Sequence, residues 1–126
     1  MIKGIGTDIV EVQRIAKSVN RFGDRFVQRI LTQREYREGL AGTKLVSYLA
    51  RQFAAKEAVS KVLGTGMRQG VHFRNIHVTR NHAGGPMVDL SGRAFEIAEN
   101  LDINQILVSL SDEKGYALAF AVGTRV

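Results

Sequence analysis

The chain has 126 residues, a net charge of +6 and no cysteine. That length suits one domain, residues 1–126, with a sizeable core, and the lack of thiols excludes a disulfide framework and cysteine nucleophiles. An apolar fraction of 44% and a charged fraction of 24% are those of a soluble globular chain. No signal peptide is read in MIKGIGTDIVEV, because Asp8 and Glu11 interrupt it, and no apolar run approaches a membrane span. A cytoplasmic protein is expected. The pI of about 10.1 points to a polyanionic partner: nucleic acid, an anionic membrane surface, a phosphorylated small molecule or an acidic protein.

In chain order, Ile2 to Val12 begins as a short strand, with Ile2, Ile5, Ile9 and Val10 as its apolar points. Gly4 and Gly6 permit close backbone approach to part of it. No third glycine follows at the spacing of a dinucleotide fingerprint. From about Glu11 the spacing of Val12, Ile15, Ala16 and Val19 predicts a helix, whose other face carries Arg14, Lys17 and Arg21. After Gly23 a second helix turns Phe26, Val27, Ile30 and Leu31 inward and Arg25 and Arg29 outward. Thr32 and Glu35 have the T-x-x-E spacing of a capping box, which would start another short helix. Gly39 and Gly42 loosen the chain before the next element.

Leu45 to Gly66, LVSYLARQFAAKEAVSKVLGTG, has no proline and closes on Gly64 and Gly66. It reads as one long helix with a glycine stop. At about 100° per residue, Val46, Leu49, Ala50 and Phe53 share a stripe that continues into Lys56, Glu57, Ser60 and Lys61. Ala54, Ala55, Ala58, Val59 and Val62 take the opposite side, so the apolar face changes sides halfway along. Glu57, in line with Phe53 and Ala50, needs a cation, either Lys61 one turn on or a metal ion.

Beyond Gly70, Phe73 to Arg80 alternates as a strand, and Gly84–Gly85–Pro86 turns into Met87–Leu90. Ser91 is placed to cap a helix through about Leu101 with Phe95, Ala98 and Leu101 inward. Ile106–Ser111 and Tyr116–Val122 form a closing hairpin. The fold class is α+β, a long central helix on a small, mostly antiparallel sheet.

The second acid that matters is Asp8, behind Gly6–Thr7. It caps the next helix with Glu11, or it pairs with Glu57 to hold Mg²⁺, which takes one or two carboxylates and fills its shell with water and phosphate oxygens. In the second case Lys56 and Lys61 would bind those phosphates, and the Gly64–Thr65–Gly66 turn would bring backbone N–H groups to them. His72, His77 and His82, five residues apart, suit neither a helix face nor a strand face as metal ligands.

Taken together, G-I-G-T-D-I-V-E (4–11) and F-A-A-K-E-A-V-S-K-V-L-G-T-G (53–66) resemble the bacterial holo-acyl-carrier-protein synthases, the small phosphopantetheinyl transferases. R-I-L-T-x-x-E (29–35), G-x-P (84–86) and V-S-L-S-D-E-x-x-Y-A-x-A (108–119) extend the likeness over nearly the whole chain. The resemblance implies a 4′-phosphopantetheinyl transferase-like fold and an enzyme of fatty acid biosynthesis. It would move the phosphopantetheine arm of coenzyme A onto a serine of an apo acyl carrier protein, releasing adenosine 3′,5′-bisphosphate. Asp8 and Glu57 would hold Mg²⁺, with Glu57 and Lys61 catalytic and Lys61 on the phosphates. Where larger relatives have a further acid this chain has Val10, so water should complete the metal shell. For the serine proton the candidates are Glu35 and a water held by Glu57 or the metal, with a plain capping role as the other reading of Glu35.

Coenzyme A would contact Lys44, Lys61, Gly64, Thr65 and Gly66, with Lys44 directed at its 3′-phosphate. Arg14, Lys17, Arg21 and Arg25 are a solvated face on their own, but under the resemblance they dock the acidic carrier. A homotrimer with active sites between subunits is implied too. The chain departs from the family pattern at Gln52, where relatives often carry Arg, and at Asp112, where many carry His. The competing readings are a basic nucleic-acid-binding module and an inactive structural trimer subunit. The first leaves the paired acids unexplained, and with no Trp, three Tyr and six Phe it has few stacking platforms.

Overall fold

The computed structural model describes residues 1–126. The strand β1 (Ile2–Glu11) leads into helices α1 (Val12–Phe22) and α2 (Asp24–Ile30), and then the long helix α3 (Gly42–Val62). A 3₁₀ turn, Phe73–Asn75, precedes the hairpin of β2 (Ile76–Arg80) and β3 (Pro86–Leu90). Helix α4 (Gly92–Asn100) and the hairpin of β4 (Gln105–Glu113) and β5 (Tyr116–Thr124) complete the chain. The strands form two antiparallel sheets rather than one, ordered β1-β5-β4 and β2-β3. The fold is α+β.

Helix α3 is the centre of the molecule. Glycine and alanine let the larger sheet lie directly on its backbone. A Cβ on Gly6 would stand 2.1 Å from the carbonyl oxygen of Ala58, one on Gly4 2.8 Å from that of Val62, and one on Gly123 2.5 Å from the Val62 side chain. The inward residues of β5, Ala117, Ala119 and Ala121, are nearly all small and buried. The alternation of β1 is therefore inverted from the pattern that its isoleucines suggest. Gly4, Gly6, Asp8 and Val10 face α3, while Ile5 and Ile9 lie on the outer face, about 60% exposed (61% and 59%).

The change of apolar side along α3 has its cause here. The helix is covered by the sheet on one side and by α1, α2 and β2 on the other, so Tyr48, Leu49, Ala50, Ala54, Ala55, Ala58, Val59 and Val62 are all buried. Gln52, Lys56 and Ser60, spaced four apart, are buried as well. Lys56 was expected beside Glu57 at the phosphates. Instead its side chain is fully buried, with Nζ donating to Glu35 Oε1 at 2.6 Å, to Phe73 O at 3.0 Å and to Ile30 O.

The T-x-x-E segment starts no helix, because its groups have other partners. The Thr32 N–H does donate to Glu35 Oε1 at 2.8 Å, as in a capping box, but the Thr32 hydroxyl is 3.2 Å from His77 Nδ1. In α4 the buried residues are Ala94, Ile97 and Ala98. Phe95 and Leu101, expected inward, are 49% and 44% exposed. Ser91 does not cap with its side chain; its hydroxyl meets His77 Nε2 at 3.0 Å. The closing hairpin turns through Lys114 and Gly115, both at positive φ (45° and 84°), as a two-residue hairpin loop of this hand requires.

Glu35 and Lys56 are a buried ion pair, and removing one partner strands the other charge in the core. Lys56→Met or Glu35→Leu alone is expected to lower stability by about 3–5 kcal/mol. The double substitution should cost less than the sum of the two, as read by urea denaturation.

Candidate active site

The residues Asp8, Glu57 and Lys61 come together where β1 crosses the C-terminal half of α3. Gly6 makes this possible, since its missing side chain lets β1 sit against Ala58 and Lys61 and so brings Asp8, two residues on, alongside Glu57. Both carboxylates are half-buried. Burial raises the pKa of Asp8 above the usual carboxylate range, with Lys61 and Arg14 pulling the other way. Glu57 is raised by burial and further by the Asp8 charge, against Lys61. Lys61 Nζ donates to Thr7 O at 2.7 Å and to Asp8 Oδ1 at 3.3 Å. An ammonium has three donors, so one remains for a ligand, and the side chain is about 50% exposed.

Asp8 takes no part in capping α1, where no side-chain cap bond forms at Glu11. Two carboxylates whose proton affinity burial raises, that of Glu57 further raised by the Asp8 charge, are short of positive charge, and one lysine does not saturate them. As an all-oxygen, two-carboxylate set they fit a hard divalent cation that keeps water on its remaining positions. No cluster of three or more acidic, histidine or cysteine side chains that could hold a metal occurs in the chain, so the candidate set ends at these two. His77 lies between Thr32 and Ser91.

Glu57 also lines a cleft of about 380 Å³ with Arg14, Ser18, Phe26, Arg29 and Phe53 among its other walls. The Phe53 and Phe73 rings stack across it at 5.2 Å. Sequence reasoning missed this cleft, for which Phe26 was assigned wholly to the core. Arg14, Lys17, Arg21 and Arg25 are all exposed, and the charge of Arg14 reaches Asp8. The basic face thus begins at the carboxylate pair.

Two expectations need correction, and a third, Lys44, is placed far from Lys61 within one chain. Glu35 is 2% exposed, and its four hydrogen bonds, from Thr32 N, Lys56 Nζ, Gln52 Nε2 and Val78 N, saturate both oxygens. It is a core group with no route to a serine hydroxyl. The N–H groups of Gly64, Thr65 and Gly66 are not free donors, because they close the end of α3 on Lys61 O and Ser60 O. This turn offers room where side chains are missing rather than an anion nest; Gly64 and Gly66 stand at φ 77° and 61° with no atom within 4 Å of a built Cβ. Lys44 is exposed in the first turn of α3, seventeen residues from Lys61 and so roughly 25 Å away along the axis.

The sequence departures have partners of their own. Gln52 is fully buried, donating to Glu35 Oε2 at 2.6 Å and Val78 O at 2.9 Å and accepting from Arg80 at 3.0 Å. Asp112 pairs with Arg51 at 3.2 Å. The i, i+4, i+8 run of Gln52, Lys56 and Ser60 in an alanine-rich helix was the available signal for a buried polar stripe.

A profile of the 4′-phosphopantetheinyl transferase superfamily matches residues 4–121. The holo-[acyl-carrier-protein] synthase of Vibrio cholerae is 45% identical over 122 residues, 97% of each chain. Among solved structures, the holo-[acyl-carrier-protein] synthase of Neisseria meningitidis superposes with a TM-score of 0.88 at 44% identity, covering 99% of this chain and 100% of its own. That of Bacillus anthracis, described as complexed with CoA (3′,5′-ADP), gives 0.82 at 37% identity over 100% and 99%. With the carboxylate–lysine cluster standing inside the matched residues, the chain belongs to the 4′-phosphopantetheinyl transferase superfamily, among its holo-acyl-carrier-protein synthases.

Proposed function

We propose that the chain transfers the 4′-phosphopantetheine group of coenzyme A to a serine of an apo acyl carrier protein, with Mg²⁺ held by Asp8 and Glu57. The observation that carries this reading is the meeting of two half-buried carboxylates and a partly free lysine at one point of β1 and α3. The bound cation would supply positive charge against the pyrophosphate of coenzyme A. Lys61, tethered by Thr7 O and Asp8, directs its remaining N–H at a phosphate oxygen and stabilises the charge that the departing adenosine 3′,5′-bisphosphate carries away. The serine oxygen forms the new bond to phosphorus as the pyrophosphate bridge breaks. With Glu35 sealed in the core, Glu57, whose basicity burial raises, is the acceptor at hand for the serine proton, directly or through a water. Gly64, Thr65 and Gly66 leave space for the nucleotide beside Lys61.

The carrier docks on Arg14, Lys17, Arg21 and Arg25, which lead to the carboxylate pair, and acidic carriers are steered there. Assembly is a homotrimer. The outer face of the larger sheet presents Ile5, Ile9, Leu107, Tyr116, Leu118 and Phe120, each at least 42% exposed, a continuous apolar surface of the kind that marks an interface. Lys44, remote from Lys61 within one chain, would meet the same coenzyme A from a neighbouring subunit. No helix is long and apolar enough to cross a membrane, and the enzyme is assigned to the cytoplasm.

Incubation of the chain with coenzyme A, Mg²⁺ and an apo carrier should give a carrier heavier by one phosphopantetheine arm in mass spectrometry. Asp8→Ala, Glu57→Ala or excess EDTA should abolish the gain, and full activity in EDTA would refute the metal assignment. A carboxyl with a raised folded pKa is favoured protonated in the fold, so above that pKa its charge opposes folding. Glu57→Gln should therefore melt higher than the unaltered chain in EDTA at neutral pH, with the difference shrinking as pH falls through the raised pKa.

Arg14→Glu with Arg21→Glu is expected to raise KM for the carrier by about tenfold or more and to leave that for coenzyme A unchanged. Equal loss for both would overturn the docking assignment.

Sedimentation equilibrium should return three times the 13.9 kDa chain mass, and Leu118→Lys with Phe120→Lys should shift it to monomer. A monomeric unaltered chain would refute the trimer.

A further inference from the structure

Arg80 stands at the open end of a chain of hydrogen bonds that runs through the core to the turn of α3 carrying Glu57. Its Nη2 donates to Gln52 Oε1 at 3.0 Å, and its Nη1 to its neighbour's carbonyl, Thr79 O, at 3.3 Å. Gln52 Nε2 donates to Glu35 Oε2, and Glu35 Oε1 receives Lys56 Nζ. Gln52, Glu35 and Lys56 are buried, and Arg80 alone of the four reaches solvent.

The guanidinium supplies the donor to the buried Gln52 Oε1 and, with Glu35 Oε2 and Val78 O on the Nε2 side, fixes which way the amide faces. With the amide reversed, its oxygen would meet Glu35 Oε2, acceptor against acceptor, and its NH₂ would meet Arg80, donor against donor. Burial, and after it the charges of Arg37 and Arg51, disfavour the Arg80 cation, while Tyr48 and Glu35 favour it. Its partners in the core are the group formed by Gln52, Glu35 and Lys56.

That group bears on the active centre through Lys56. On one side, β1 presses on α3 at Ala58, Lys61 and Val62 through Gly4 and Gly6. On the other, Lys56 ties the helix to Ile30 O at the end of α2 and to Phe73 O. Glu57 lies between these two contacts. We propose that Arg80, acting through Gln52 and Glu35, is a positioning residue that holds the Lys56 clamp and so sets the spacing of Glu57 from Asp8, and with it the affinity of the pair for a divalent cation. The proposal rests on the reading of Asp8 and Glu57 as cation ligands.

The experiment measures Mn²⁺ binding to the full chain by electron paramagnetic resonance without substrates, beside thermal melts and steady-state kinetics, for Arg80→Met and Arg80→Lys. In Arg80→Met the Mn²⁺ affinity is expected to fall about tenfold, the low end for outer-shell partners of a metal site. Arg80→Lys should recover most of it. KM for coenzyme A and carrier should stay unchanged, and kcat should return at saturating metal. Unaltered Mn²⁺ affinity in Arg80→Met overturns the proposal, whether the melt drops alone, as for a merely structural residue, or KM for coenzyme A rises, as for a direct substrate contact. If the unaltered chain itself binds no Mn²⁺, the cation reading of Asp8 and Glu57 fails first and the positioning role falls with it.

Discussion

The close approach of β1 to the backbone of α3 is the constraint from which the site follows. A hydrogen atom is all that fits at Gly6 against the Ala58 carbonyl, and any larger side chain would lift the strand away from the helix. With the strand seated, Asp8 projects from the same face of β1 as Gly6 and meets Glu57. The cost of this arrangement is electrostatic, since burial raises the proton affinity of both carboxylates and the Asp8 charge raises that of Glu57 further. Lys61 offsets it in part. The remaining deficit of positive charge is what would draw a hard cation to the spot, under the proposed function.

The opposite side of α3 is held by charge rather than by glycine. Lys56 is among the largest fully buried side chains, and every one of its donors and every oxygen of Glu35 has a partner. No buried polar side-chain atom is left without one. A network of this kind contributes little net stability compared with an apolar core of the same volume, but it admits one arrangement only. Here it fixes the rotation of the helix that carries Glu57 and Lys61. Two neighbours in sequence, Lys56 and Glu57, thus divide structural and chemical work because they point to different sides of one helix.

Several features are legible in the residues alone. The glycine-opened strand, the acids at 8 and 57, the lysine at 61 and the basic face of α1 are local patterns, and the chemistry of carboxylates among cations is readable without coordinates. So are the helices α1 to α3 and the closing hairpin, whose periodicities are strong. The likeness in K-E-A-x-x-K with the upstream G-x-D brought the family into view, and the profile match over 4–121 supports it independently.

Periodicity could not say which side of α3 is inside, because a helix enclosed on all sides has no single apolar stripe. For the same reason Lys56 read as a phosphate ligand, and Glu35, off that helix, stood open as a capping residue or a candidate base, although each is the other's buried partner from 21 positions away. The inward face of β1 could not be read from its apolar residues, since Ile5 and Ile9 point away from α3 toward the outer face. What the sequence by itself determined was the set of chemical groups and their local spacing. Which of them face one another, and which are sealed from solvent, only the tertiary structure decided, because burial is a property of contacts between distant segments and has no period along the chain.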